Sequence, residues 1–233
     1  MSKQLLVEVV VEGQTENAFV KQVLAPYWSV RGIFVEAPVY RTHVDMRSGT
    51  IHKGGDIRFT RLMRQLGSLL RQRRDTIIAN FVGFYGIRQW PALDKIQTGQ
   101  TPEYISQTLC HAAKEEICHI YPENNPQKRY FPFIAVHEFE ALLFSDANIL
   151  SKNLNIPLAF IENVLTECAN PEAIDNSPQT APSKRLETWT NGSYIKKIKG
   201  ISLAQAIGID KMRNACPNFD EWLKSIEALQ EEL

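Results

Sequence analysis

Apolar positions along the chain change period several times, and each change marks a predicted element. Leu5 to Val11 is a valine-rich apolar run that suits a parallel strand buried on both faces. It stops at Glu12-Gly13. From Thr15 the spacing turns helical, with Phe19, Val23 and Leu24 on one face and Thr15 as the predicted cap. Ile33 to Tyr40 reads as a second strand and Arg41 to Asp56 as a polar loop. Ile57 to Leu70 reads as an amphipathic helix with Leu62, Leu66, Leu69 and Leu70 inward. Thr76 to Phe84 and Phe131 to Val136 are the third and fourth strand candidates, and Pro102 to Ile120 is a helix between them. After Asp146 the pattern is largely helical, with a loop from Asn170 to Pro182 and closing helices near Leu203 to Ile207 and Asp220 to Leu229.

Strands alternating with helices predict an α/β fold, a mainly parallel sheet flanked by helices with a helical C-terminal part. The predicted division is an α/β domain over 1–150 and a helical extension over 151–233 packed on it. In such sheets, sites gather beyond the carboxyl ends of the strands. Three strand candidates end suggestively: at Glu12-Gly13, at Gly83-Phe84-Tyr85-Gly86 and at His137-Glu138-Phe139-Glu140.

Composition adds little. The 233 residues hold 26 Lys plus Arg and 26 Asp plus Glu, so net charge gives no global argument for a nucleic-acid binder, and only a local basic patch would supply that attraction. The four cysteines form no CxxC pair and read as reduced thiols. With no secretory signal and no apolar stretch near the roughly 20 residues of a membrane span, a cytoplasmic protein without membrane contact is expected.

A glutamate at the end of a buried strand is costly unless paired or metal-bound, and Glu16 lies one helical turn beyond Glu12. Two such carboxylates can hold Mg²⁺, which prefers oxygen ligands and keeps some of its waters. The alternative is a helix-capping acid beside a surface acid. In the second cluster, Glu138 and Glu140 diverge by about 200° if an α-helix has begun. They face the same way if the chain is still extended. Ser183, Lys184 and Arg185, followed by Tyr194 and Lys196, form a basic cluster of the kind that grips phosphates, or simply a solvated face. Cys110-His111 and Cys118-His119 lack a second ligand pair at zinc-finger spacing and read as packing residues. Ser177 or Ser183 with His137 is no hydrolase triad in the absence of a GxSxG elbow.

Several segments together resemble the DUF4276 family, a bacterial group with a Toprim-like fold. They are Val10-Val11-Glu12-Gly13-Gln14-Thr15-Glu16, Gly54-Gly55-Asp56-Ile57, Phe84-Tyr85-Gly86 with Trp90-Pro91, His137 to Phe144 (HEFEALLF), Ala181 to Leu186, and Cys216-Pro217-Asn218-Phe219 with Trp222-Leu223. The resemblance implies a Mg²⁺-dependent nuclease, with Mn²⁺ as a substitute, acting on DNA or RNA phosphodiesters. Glu12, Glu138 and Glu140 would hold the metal, with Glu16 as a further catalytic carboxylate. Ser183, Lys184, Arg185, Tyr194 and Lys196 would contact nucleic acid. It also implies a setting in anti-phage defence beside an ABC-type ATPase partner. Two departures stand out: where relatives read Asp-x-Tyr-Gly, this chain reads Gly83-Phe84-Tyr85-Gly86, and where a Tyr-Asp-Lys string is expected it reads Tyr194-Ile195-Lys196. Compensating acids are sought at Glu138, Glu140, Asp45 and Asp56. A catalytically degenerate binding or regulatory subunit is therefore the rival expectation. A plain nucleotide-binding domain fits worse, because no GxGxxG or GxxxxGK[ST] loop is present.

Overall fold

The computed structural model of the chain describes residues 4–39, 43–44, 51–52, 57–136, 138–174 and 179–232, with the backbone alone at 43–44 and 51–52. His137, Asp45, Asp56, Ser177 and the Gly54-Gly55 pair lie outside the described residues. The architecture is α/β, with a four-stranded parallel sheet flanked by helices and a helical C-terminal part.

The main sheet joins β1 (Leu5–Val11), β2 (Ile33–Glu36), β6 (Thr76–Gly83) and β8 (Tyr130–Ala135) in the order β2-β1-β6-β8. Two small pairs accompany it: antiparallel β3 (His43–Val44) with β4 (Ile51–His52), and parallel β5 (Ile57–Arg58) with β7 (Ile87–Gln89). The segment predicted as loop over 41–56 thus carries two short strands. The helix predicted from Ile57 begins two residues later, after β5.

Helices cover both faces. α1 (Gln14–Phe19) runs through a π-helical turn (Val20–Leu24) into α2 (Ala25–Ser29). α3 (Phe59–Gln72) and α4 (Pro102–Ile120) follow, then the short α5 (Pro126–Arg129). Beyond β8 come a 3₁₀ helix over Phe139–Ser145, α6 (Ala147–Leu154), α7 (Leu158–Thr166) and α8 (Pro182–Trp189). A π-helical turn over Lys196–Gly200 leads into α9 (Ile201–Ile207), α10 (Ile209–Ala215) and α11 (Pro217–Glu231).

The alternation of side chains along each strand divides the interior into two layers. Val7, Val9 and Val11 of β1 and Ile77, Ala79 and Phe81 of β6 join one buried cluster with Phe19, Trp28, Phe219 and Trp222. Val10, Ile78 and Val82 point the other way, against Leu62, Leu66 and Leu109 of α3 and α4. The C-terminal helices belong to the first layer, since Ile201, Leu203, Met212 and Leu223 share a cluster with the sheet. Two of the buried polar groups show how such groups are paired. Tyr130 donates its hydroxyl to Asn80 Oδ1 at 2.6 Å, and Glu8 meets Arg73 Nε at 2.9 Å.

α11 is tied down by a buried acid. Glu172 accepts the backbone N–H groups of Asn218 at 2.8 Å and Phe219 at 3.1 Å, in the first turn of that helix. Burial pushes its carboxyl from the ordinary 4.5 up to about 7, against the pull of those two donors. The folded chain therefore holds this proton more tightly than the unfolded chain. The group's contribution to stability is full below its unfolded value and lost as pH rises through the folded one. Glu172→Gln does not titrate, so it is expected to flatten part of the fall in unfolding free energy between pH about 5 and about 8. A slope equal to that of the parent protein would contradict this.

Candidate functional site

Strand order sets the place of the site. From β1 the chain moves outward to β2, then returns to lay β6 on the opposite side of β1. The crevice between the carboxyl ends of β1 and β6 is the point where the winding reverses, which is where open α/β sheets bind ligands. Val11 is level with Phe81, and Gly83 with Ala135, so residues just after β1, β6 and β8 emerge together.

Glu12 occupies this crevice. Its Oε2 accepts the Gly83 backbone N–H at 3.1 Å, and its own N–H donates to Phe81 O at 3.3 Å. Two glycines make the room. A Cβ at Gly86 would stand 2.6 Å from Glu12 Oε1 and 2.9 Å from Ile57 Cδ1, so any side chain there displaces the carboxylate. A Cβ at Gly83 would stand 3.3 Å from Glu12 Oε2, so a side chain at this position would start beside that carboxylate. Glycine in place of the aspartate expected from the resemblance thus removes a second negative charge from next to Glu12.

Glu16 stands one turn into α1. Burial pushes its carboxyl up to about 7, and the charges of Glu12 and Glu140 push in the same direction. Its Oε2 lies 2.9 Å from where a Cβ on Gly13 would sit, so Gly13 makes room for Glu16 as Gly86 does for Glu12.

Glu138 and Glu140 converge, although α-helical spacing would part them. Glu138 is still extended, at φ −77° and ψ 165°, and a tight 3₁₀ helix begins only at Phe139. Lys196 Nζ reaches Glu138 Oε1 at 3.2 Å and Glu140 Oε2 at 3.1 Å. The second oxygen of Glu138 accepts the backbone N–H of Ser183 at 2.9 Å, which caps the first turn of α8. Tyr194 donates its hydroxyl to Glu140 Oε1 at 3.4 Å. Burial raises the Glu138 carboxyl, but Lys196 and Ser183 outweigh it and hold the group below its ordinary value. For Glu140, 1 % exposed, burial prevails over Lys196 and the shift is upward. Burial alone would lower the Lys196 ammonium; the two glutamates reverse this and keep it charged. Burial also lifts the Tyr194 phenol far above its ordinary range, so it stays a donor.

The four glutamates and Lys196 share one cavity of about 260 Å³, which Tyr85 also lines, while Tyr194 stands behind Glu140. Across this stretch of chain a family model described as a domain of unknown function, DUF4276, matches residues 11–227. The chain belongs to the DUF4276 family. No curated protein and no solved structure matches it.

The remaining residues that the sequence singles out in this DUF4276 chain lie away from the cavity. Lys184 Nζ pairs with Glu187 at 2.7 Å on the exposed face of α8. Arg185 Nε donates to Thr180 O at 2.7 Å, and its side chain lines a different groove with Phe160 and Trp189. Ser183 acts here through its backbone N–H. Sequence reasoning missed Gly86 as the cradle of Glu12; the Tyr85-Gly86 pair after an apolar strand was its signal.

Among the described residues, no group of three or more His, Cys, Asp or Glu side chains is arranged to hold a metal ion together. What the site offers a hard cation is an all-oxygen pair, Glu12 and Glu16, with Glu138 and Glu140 engaged by Lys196. Such a pair suits Mg²⁺, which commonly takes one or two carboxylates and completes its shell with waters and substrate phosphate. No helix among the described residues is long and apolar enough to cross a membrane.

Proposed function

We propose that this chain is a metal-dependent phosphodiester hydrolase acting on DNA or RNA, with the cavity at the β1/β6 crevice as its active site. The observation that carries the reading is the convergence of Glu12, Glu16, Glu138, Glu140 and Lys196, from three separate stretches of sequence, at the reversal point of a parallel sheet. When bound, Mg²⁺ or Mn²⁺ would supply Lewis-acid stabilisation of charge on the phosphoryl oxygens. Glu12 and Glu16 would hold it. Glu12 is aimed by the Gly83 N–H and by the space at Gly86. Glu16, whose carboxyl burial raises to about 7 in the ion-free site, would give up its proton on binding the cation, so occupancy of the site would rise with pH. Lys196, fixed by Glu138 and Glu140, presents a positive charge to a phosphate entering the cavity. Lys184 and Arg185 would contact substrate only beyond the cavity. The setting that goes with this reading, cytoplasmic anti-phage defence beside an ABC-type ATPase, rests on the motif resemblance.

A second reading is favoured by Gly83 and by the engagement of Glu138 and Glu140 with Lys196. In it the chain keeps the scaffold as a binding or regulatory subunit without catalysis. Incubation with single- and double-stranded DNA and RNA in Mn²⁺ separates the two. The hydrolase reading expects cleavage that Glu12→Gln abolishes, because the amide fits the same cradle but holds a metal poorly. Cleavage undiminished in Glu12→Gln would sink it. Absence of cleavage, together with metal binding only in Gly83→Asp, would favour the degenerate subunit.

A further inference from the structure

A second cavity lies elsewhere in the described chain and shares no residue with the carboxylate site. It measures about 360 Å³ and lies alongside β8, the edge strand of the main sheet, between α4 and α11. Its apolar wall is aromatic. The rings of Phe133 and Trp222 stack at 5.0 Å with 18° between their planes, and the Trp222 indole N–H is tied to Phe131 O at 3.2 Å. Lys114, from α4, lays its ammonium 4.6 Å over the Phe131 ring.

Lys114 is the unusual feature. It is half-buried, and among the described residues no carboxylate stands within ion-pair distance of it. Burial pulls its ammonium below the ordinary range. A desolvated cation without a counter-charge is unfavourable, and an anion delivered by a ligand would relieve it. Glu221 also lines the cavity, but it is exposed and its charge is solvated. The Phe131 face that would attract a cationic ligand is already taken by Lys114. The Cys110 thiol, pushed up to about 12 by burial, is unreactive and serves as apolar lining. The volume is within the roughly 300–1,000 Å³ of small-molecule sites, which pair apolar walls with a few placed polar groups.

We propose that this cavity is a binding site for a small aromatic carboxylate, whose ring packs against the Phe133 and Trp222 wall and whose carboxylate pairs with Lys114. The site is independent of the hydrolase reading and stands or falls without it. The test uses the full chain with 2-naphthoate and its neutral counterpart 2-naphthylmethanol, followed by calorimetry and by the indole N–H resonance of Trp222. The acid is expected to bind at least tenfold more tightly than the alcohol and to move the Trp222 resonance. Lys114→Met is expected to erase the difference, and Lys114→Arg to restore most of it. Equal affinity for acid and alcohol, an advantage of the acid that survives in Lys114→Met, or no binding of either compound would overturn the proposal. The comparison of acid and alcohol on the unaltered protein needs no variant to fold.

Discussion

Arg129→Ala is expected to cost about 3–5 kcal/mol of folding stability, since it orphans several buried acceptors worth about 1–3 kcal/mol each. Arg129 is 8 % exposed, and its guanidinium fans over backbone carbonyls from three segments. Nε and Nη2 donate to Thr76 O at 3.2 and 3.0 Å, at the start of β6. Nη1 donates to Leu70 O at 3.0 Å and Asn124 O at 2.9 Å, and Nη2 also donates to Arg73 O. Leu70 and Arg73 end α3, where the last carbonyls have no partner within the helix and the dipole favours a cation. Burial lowers the guanidinium pKa, yet such a group stays charged at any working pH. Arg129→Lys is expected to recover less than half of the loss, because one ammonium cannot span the fan. In thermal unfolding the alanine variant should melt roughly 10 °C lower, at about 2–4 °C per kcal/mol for a chain of this size. A loss under about 1 kcal/mol would mean that the carbonyls find other partners.

The second large effect is expected at Lys196. Lys196→Met leaves Glu138 and the buried Glu140 without their shared cation. Removing one partner of a buried ion pair costs about 3–5 kcal/mol, and the half-exposed lysine head reduces this to about 2–3 kcal/mol here. The pH dependence has a definite sign. Glu140 already has a raised carboxyl pKa from burial, and losing Lys196 raises it further. Acidification lets it take up a proton and relieves the penalty, so the variant should be hurt more near pH about 8 than near pH about 5. Lys196→Met combined with Glu140→Gln should recover much of the loss, a coupling that a double-mutant cycle reads directly. Equal destabilisation at both pH values, or no coupling, would contradict the ion-pair account.

How far the sequence discloses this molecule depends on the range of the forces involved. α4 was readable residue for residue, because Thr101 caps it, accepting from Tyr104 N at 3.3 Å, and Pro102 opens it. β1 and its terminal Glu12 were readable because a valine run ending in an acid and a glycine has few other uses. The pairing of Glu138 with Glu140 was not readable. It depends on the helix starting one residue after Glu138 and on 3₁₀ winding, and spacing alone left both geometries open. For the Lys184-Arg185 string the sequence left a phosphate grip and a solvated face open, and the partners that α8 provides, Glu187 for Lys184 and Thr180 O for Arg185, follow only from where that helix starts. Arg129 gave no signal at all, since a lone arginine in a turn-rich stretch shows its worth only when Leu70, Arg73 and Thr76 come close in the fold.

The central claim, that Glu12 anchors a divalent-cation site at the β1/β6 crevice, is tested most directly by calorimetric titration of the purified chain and of Glu12→Gln with Mn²⁺. Saturable binding of one ion by the parent protein and none by the variant is expected, with both proteins melting at similar temperatures. Equal binding by the two proteins would place the cation elsewhere, and no binding by either would contradict the claim.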